Sequence, residues 1–169
     1  MTAYRLTAMT DAYAYAITLW RYEPPFALYD LQAGDEDMLL DPTLHYHAVL
    51  DDADQLAGFA CFGEDAQVHG GRYDGDALDI GFGMAPERTG RGAGSAFVGT
   101  VCRFAWHELG ADDLRLSVAT FNRRAIHVYR RLGFRTAQWF IGTTRHGALS
   151  FIVMTRPGQT TARRLPFAI

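Results

Sequence analysis

The stretch that most constrains this chain runs from an apolar segment through closely spaced glycines into a helix. Ala77 to Met84 is apolar and interrupted by Gly81 and Gly83, Pro86 closes it, and Thr89-Gly90-Arg91-Gly92-Ala93-Gly94-Ser95 follows. Beyond that, Phe97, Val101, Phe104, Ala105 and Leu109 recur at helical spacing. A strand, a glycine loop and a helix in this order form a unit of an α/β sheet. The glycines allow backbone N–H groups to converge at the positive end of the helix, which makes an anion site with phosphate as its natural ligand. A P-loop is excluded because the chain contains no Lys, and the spacing GxGxG is not the GxGxxG of a dinucleotide fold. Within the strand, Gly81 and Gly83 predict a bulge or a close backbone approach.

The other elements fall around this unit. Tyr4 to Met9 reads as a strand, and Asp11 as the cap of a helix reaching about Tyr22, ended by Pro24-Pro25. His45 to Leu50 and Gln55 to Phe62 read as a hairpin turning at Asp51 to Asp54. Leu114 to Ala119 is a strand, Asn122 an N-cap, Ala125, Ile126, Tyr129 and Leu132 a helical stripe, and Gly133 its stop. Thr136 to Ile141 and Ala148 to Thr155 form a last hairpin around Gly142 to Gly147. The expectation is one α/β (α+β) domain over residues 1–169, with a mixed sheet of about six to seven strands and a tail from residue 156.

Charge is distributed unevenly along this framework. Residues 1–80 hold 15 of the 19 acids and 3 of the 16 bases, a net of −12, while the remainder carries +9. Every base is Arg. The second half is suited to an anion and the first to a cation. The whole-chain charge of −3, and arginines whose aromatic neighbours read as core, give no nucleic-acid footprint. No apolar run is long enough to span a bilayer, and Cys61 and Cys102 form neither a disulfide framework nor a zinc spacing, so the reading is a cytoplasmic protein without metal. His45 and His47 share a strand face in this reading, but no third ligand accompanies them.

Two blocks, Thr89 to Gly94 and Asn122-Arg-Arg-Ala-Ile-His-Val-Tyr129, in this order resemble the GNAT superfamily of acyl-CoA-dependent N-acyltransferases. The resemblance covers about Gln55 to Phe151. It implies a splayed, glycine-bearing strand at the cofactor site and acetyl-CoA as co-substrate. Thr89, Gly90, Arg91, Gly92, Ala93, Gly94 and Ser95 are thereby assigned to the pyrophosphate, Phe82, Gly83 and Met84 to the pantetheine arm, and Asn122 to the arm or its phosphate. Thr89 departs from the family's Arg or Gln, and Arg88 or Arg91 stands beside it to supply the charge. Ser117 occupies the place where some protein-acetylating members carry a glutamate.

The implied reaction is transfer of an acetyl group to a primary amine of a small molecule or a protein. Tyr129 is expected to hydrogen-bond or protonate the leaving sulfur, and a backbone N–H near Met84 to polarise the carbonyl. Asp79 is expected as the base, with Glu23, Asp30 or water as rivals. Trp20, Glu23, Phe26 and Tyr29 are expected at the acceptor site, where aromatic faces attract a cation. A non-catalytic acyl-CoA-binding or sensing module is the alternative, and a homodimer is the assembly common in the family.

Overall fold

A computed structural model describes residues 3–158; the tail expected from residue 156 lies outside the described residues from 159 onward. Seven strands form one sheet in the order β1-β2-β3-β4-β5-β7-β6, made of Tyr4–Ala8, His47–Asp51, Leu56–Phe62, Leu78–Met84, Leu114–Ala119, Arg135–Thr144 (β6) and Gly147–Arg156 (β7). All neighbours are antiparallel except β4 and β5. Four helices, α1 Asp11–Thr18, α2 Glu36–Leu40, α3 Gly94–His107 and α4 Arg123–Arg131, cover the two faces.

Alternation along the strands decides which face each helix covers. Ile80 on β4, Leu114, Leu116 and Val118 on β5, and Ile152 and Met154 on β7 turn toward α3 and α4. There they meet Phe97, Val98, Val101, Cys102, Ala105, Ile126 and Tyr129 in the main core. Each large apolar side chain buried there contributes roughly 2 kcal/mol. The opposite face holds a second cluster, in which Ala14, Ile17 and Leu39 of α1 and α2 pack with Trp20, Tyr46, Leu56 and Phe59.

Several expectations need correction. Thr10, not Asp11, caps α1, accepting from Tyr13 N–H at 3.3 Å, and Asp11 is the first helical residue. The helix stops at Thr18, ahead of the proline pair, and a 3-10 turn at Phe26–Tyr29 follows. His45 has φ 53 and lies outside β2, so it does not share a strand face with His47. The last hairpin is longer than expected: β6 runs to Thr144, and Arg145 and His146 form its two-residue turn. β4 carries no bulge against β3; among the described residues, register shifts fall between Val49 and Leu50 of β2 and between Thr136 and Gln138 of β6. Gly81 and Gly83 are required instead by close approach, because a Cβ at Gly83 would lie 2.6 Å from the Phe59 ring and one at Gly81 2.8 Å from Cys61 Sγ.

Candidate functional site

β4 pairs with β3 over five residues from Gly58↔Met84 to Phe62↔Ile80, but with β5 only at Leu78↔Leu114 and Asp79↔Arg115. Past Asp79 the two parallel strands part. The free groups can be named from hydrogen-bond alternation. Gly63 N–H bonds Asp79 O and Ala85 N–H bonds Ala57 O, so odd-numbered residues of β4 face β3. Leu78 N–H bonds Asp113 O, so even-numbered residues face β5. The backbone groups of Phe82 and Met84 therefore point into the splay, where no strand receives them and only the Met84 carbonyl has a side-chain partner, the Tyr22 hydroxyl. Buried peptide groups left without partners are costly, and an extended ligand arm bearing amides would satisfy them.

The wide end of the splay leads to the glycine loop. Gly90 and Gly92 have φ of 73 and 81, a region disfavoured for side-chain-bearing residues. The loop delivers the chain to α3, whose N-cap Ala93 offers no side-chain acceptor, so the first-turn N–H groups there are not capped. Arg124 of α4 reaches back to the loop, its Nη1 3.0 Å from where a Cβ at Gly90 would stand. Arg91 is exposed beside it. Arg88 is not available as a substitute for the missing charge at Thr89, because it pairs with Asp51 at 2.7 Å. That carboxylate is held below its ordinary range, first by the Gln55 N–H and then by Arg88. Thr89 turns inward, its hydroxyl donating to Pro86 O at 2.9 Å.

α4 brings its two expected residues to the same place. Asn122 caps the helix, Oδ1 accepting from Ala125 N–H at 3.2 Å, and its Nδ2 lies 3.4 Å from the Tyr29 hydroxyl. Two turns on, Tyr129 is 9% exposed and packs edge-on against Phe82 with centroids 5.7 Å apart. Burial lifts its phenol above the ordinary tyrosine value, with Tyr29 adding to the shift. Tyr129 thus keeps its phenol proton through the neutral pH range. The 3-10 turn covers this end: Phe26 and Tyr29 pack on Phe121, and the Arg124 guanidinium lies 4.7 Å from the Phe26 ring centre.

Asp79 is not brought to this end. It sits where β4 and β5 are still paired, about 17 Å of strand from Met84. Arg115 Nε and Nη2 donate to its two oxygens at 2.6 and 2.8 Å, and Gln67 Nε2 donates at 2.8 Å. Asp79 is 4% exposed and Arg115 6%. Both oxygens of Asp79 are committed to Arg115 and Gln67 at the paired end of β4, which argues against the role of base expected for it.

The structure adds groups that no motif marks. The Tyr22 hydroxyl donates to Met84 O at 2.8 Å, and burial, followed by Asp30 and Glu87, raises its phenol pKa. Asp30 in turn accepts from Tyr22 N–H at 2.8 Å. Arg21, Ala27, Asp30, Leu31, Gln32 and His146 line a cavity of about 340 Å³ between this segment and the β6–β7 turn. Arg145 and Asp35 pair beside it at 3.3 Å. Of the acceptor residues expected from sequence, Phe26 and Tyr29 lie at the splay, Trp20 stacks on Phe59 6.2 Å away, and Glu23 is exposed. Among the described residues, no group of three or more His, Cys, Asp or Glu is placed to hold a metal ion, and no helix is long and apolar enough to cross a membrane.

A family model described as the acetyltransferase (GNAT) family matches residues 10–134. The chain belongs to this family. Solved structures agree on the fold. A GNAT-family acetyltransferase from Bacillus anthracis is 12% identical, with a TM-score of 0.71 over 92% of this chain and 95% of the other. A spermidine N-acetyltransferase from Vibrio cholerae, solved with CoA and spermine, is 16% identical, with a TM-score of 0.71 over 91% and 95%. No curated protein sequence matches the chain. As a GNAT enzyme it uses acetyl-CoA and transfers the acetyl group to an amine. Its unpaired β4 edge, uncapped α3 and glycine loop have the chemistry that this co-substrate requires.

Proposed function

We propose that acetyl-CoA lies in the splay between β4 and β5 and that the amine reaches it from the side of the Arg21–His146 cavity. The observation that carries this reading is the edge of β4 that no strand pairs, at Phe82 and the Met84 N–H, next to an uncapped helix start. The N–H groups of Gly90 to Ser95, with Arg91 and Arg124, hold the pyrophosphate, and Phe82 and Met84 pair with the pantetheine arm, while Gly83, expected there too, turns its backbone groups to β3 between them. Asn122 orients the arm while capping α4. Acetyl-CoA supplies the thioester carbonyl and the thiol leaving group. A backbone N–H on the free edge polarises the carbonyl oxygen, and the Tyr129 hydroxyl gives its proton to the departing sulfur.

Asp30 is the carboxylate placed to receive the charge of the incoming amine, and water carries off the amine's proton. Phe26, Tyr29 and Trp20 wall the approach, and Glu23 stands at its rim. The acidic first half of the chain favours a cationic acceptor. We place the protein in the cytoplasm, in keeping with its two free, buried thiols. We also propose a homodimer, in which Trp139 and Ile141 of β6, 67% and 65% exposed, are covered by a second copy. Light scattering at micromolar concentration checks it, and a monomer refutes it.

Calorimetric titration with acetyl-CoA, followed by a thiol-release assay over amines from polyamines to peptide N-termini, tests the reading. Binding together with CoA release for a cationic amine is expected. Tight binding without release for any amine would overturn the catalytic assignment.

A further inference from the structure

The segment from Glu64 to Asp76 crosses the sheet face opposite α3 and α4, and its contacts fall at the point where β4 and β5 part. Ala66 sits over Gly81, where a Cβ would come within 3.2 Å of it. Gln67 donates to Asp79. Val68 N–H donates to the Tyr73 hydroxyl at 2.8 Å, and the same hydroxyl lies 3.0 Å from Val68 O and 2.8 Å from Ser117 Oγ. The Val68 side chain approaches Gly142 of β6, and His69 O accepts from Thr143 N–H at 3.1 Å. Arg115, besides gripping Asp79, donates to Tyr73 O and Asp74 O at 2.9 and 2.7 Å.

Strands paired at Asp79 and Arg115 would continue the ladder unless something held them apart. On this face the first residues past the last pair are Gly81 and Ser117. These are the two that the segment engages, Gly81 through Ala66 and Ser117 through Val68 and Tyr73. Two residues of extended chain span about 7 Å, whereas paired strands sit about 4.8 Å apart. A tie of that length is too long for the ladder to close beneath it.

We infer that the 66–73 segment is the strut that keeps β4 and β5 open, and that Tyr73 and Arg115 are positioning residues for acetyl-CoA. Neither touches the reacting atoms. Arg115, its guanidinium fixed by Asp79 and two loop carbonyls, anchors the strut at the vertex. Tyr73 sets its span. The inference rests on the splay being the acetyl-CoA site.

Tyr73→Phe and Ser117→Ala remove the tie with almost no change of volume. Each is expected to raise the acetyl-CoA Kd, and the KM for acetyl-CoA, about tenfold, the scale of one well-placed hydrogen bond. The double variant should be no worse than Tyr73→Phe, since both cut the same link. Amide hydrogen exchange of Phe82 and Met84 gives a reading independent of the ligand: both should gain protection in Tyr73→Phe as β4 and β5 approach. Lower melting temperatures with acetyl-CoA Kd within twofold of wild type, and no gain in protection, would overturn the strut. Wild-type protein that does not bind acetyl-CoA would instead sink the site assignment, leaving the exchange measurement to decide the strut.

Discussion

The two edges of β4, an interior strand, are paired to different extents. Toward β3 the strand is paired over five residues, and the missing side chains of Gly81 and Gly83 are taken up by Cys61, Ala66 and the Phe59 ring. Toward β5 it is paired for two residues and then left open. One edge is structure and the other is the binding surface we propose, although they belong to the same seven residues. A strand becomes a site here through what its neighbour does not provide.

The comparison can be broken first at the vertex. Asp79→Ala would leave Arg115 buried without its carboxylate and should cost about 3–5 kcal/mol of stability, read by urea denaturation; a loss under about 1 kcal/mol would mean that the vertex is not held there. On the open side, Tyr129→Phe should lower kcat about a hundredfold with acetyl-CoA affinity nearly intact, and an unchanged rate would remove Tyr129 from the chemistry. Gly92→Asp places a side chain at φ 81 and a negative charge beside the phosphates, so acetyl-CoA binding should weaken by a similar factor; equal affinity would mean that the wrong loop has been assigned.

Smaller effects sharpen the contrast. Tyr22→Phe frees the Met84 carbonyl at the wide end and should change acetyl-CoA affinity by no more than about tenfold, the scale of one hydrogen bond. The pH profile follows from burial. The Tyr129 pKa is raised, so its proton donor is present below the ordinary tyrosine value near 10 and is lost only as pH rises through the higher folded value. Activity should therefore show no Tyr129-linked fall below about pH 10, and a fall that Tyr129→Phe abolishes at lower pH would contradict this.

The glycine loop and the start of α4 are legible in the sequence, and the contacts of Tyr22, Asp30 and His146 are not. Thr89 to Ser95, Asn122 and Tyr129 lie within two contiguous stretches, where local backbone needs determine residue type: positive φ at Gly90 and Gly92, a cap at Asn122, a helix repeat to Tyr129. Asp79 was misread because its position in the strand says nothing about its partner, and Arg115 stands 36 residues away. Tyr22 reaches Met84 across 62 residues, and His146 joins Arg21 and Asp30 only because a hairpin turn folds over them. No spacing rule links such residues. The Gly81–Gly83 pattern is plain in the sequence, but its cause, the Phe59 ring and Cys61 on the next strand, is tertiary.

By itself the sequence determined the strand–glycine loop–helix unit, the glycine-led start of α3, the family, and a charge division that puts 13 of the 16 arginines after residue 80. These are local properties: backbone conformation, helix caps and composition are written in consecutive residues. Only the tertiary structure decided that β4 and β5 separate after Asp79, that Arg88 is taken by Asp51 while Arg124 reaches the loop, and that Asp79 serves the vertex and not the chemistry. Those outcomes depend on which distant groups compete for the same hydrogen bonds, a competition settled only when the chain has packed.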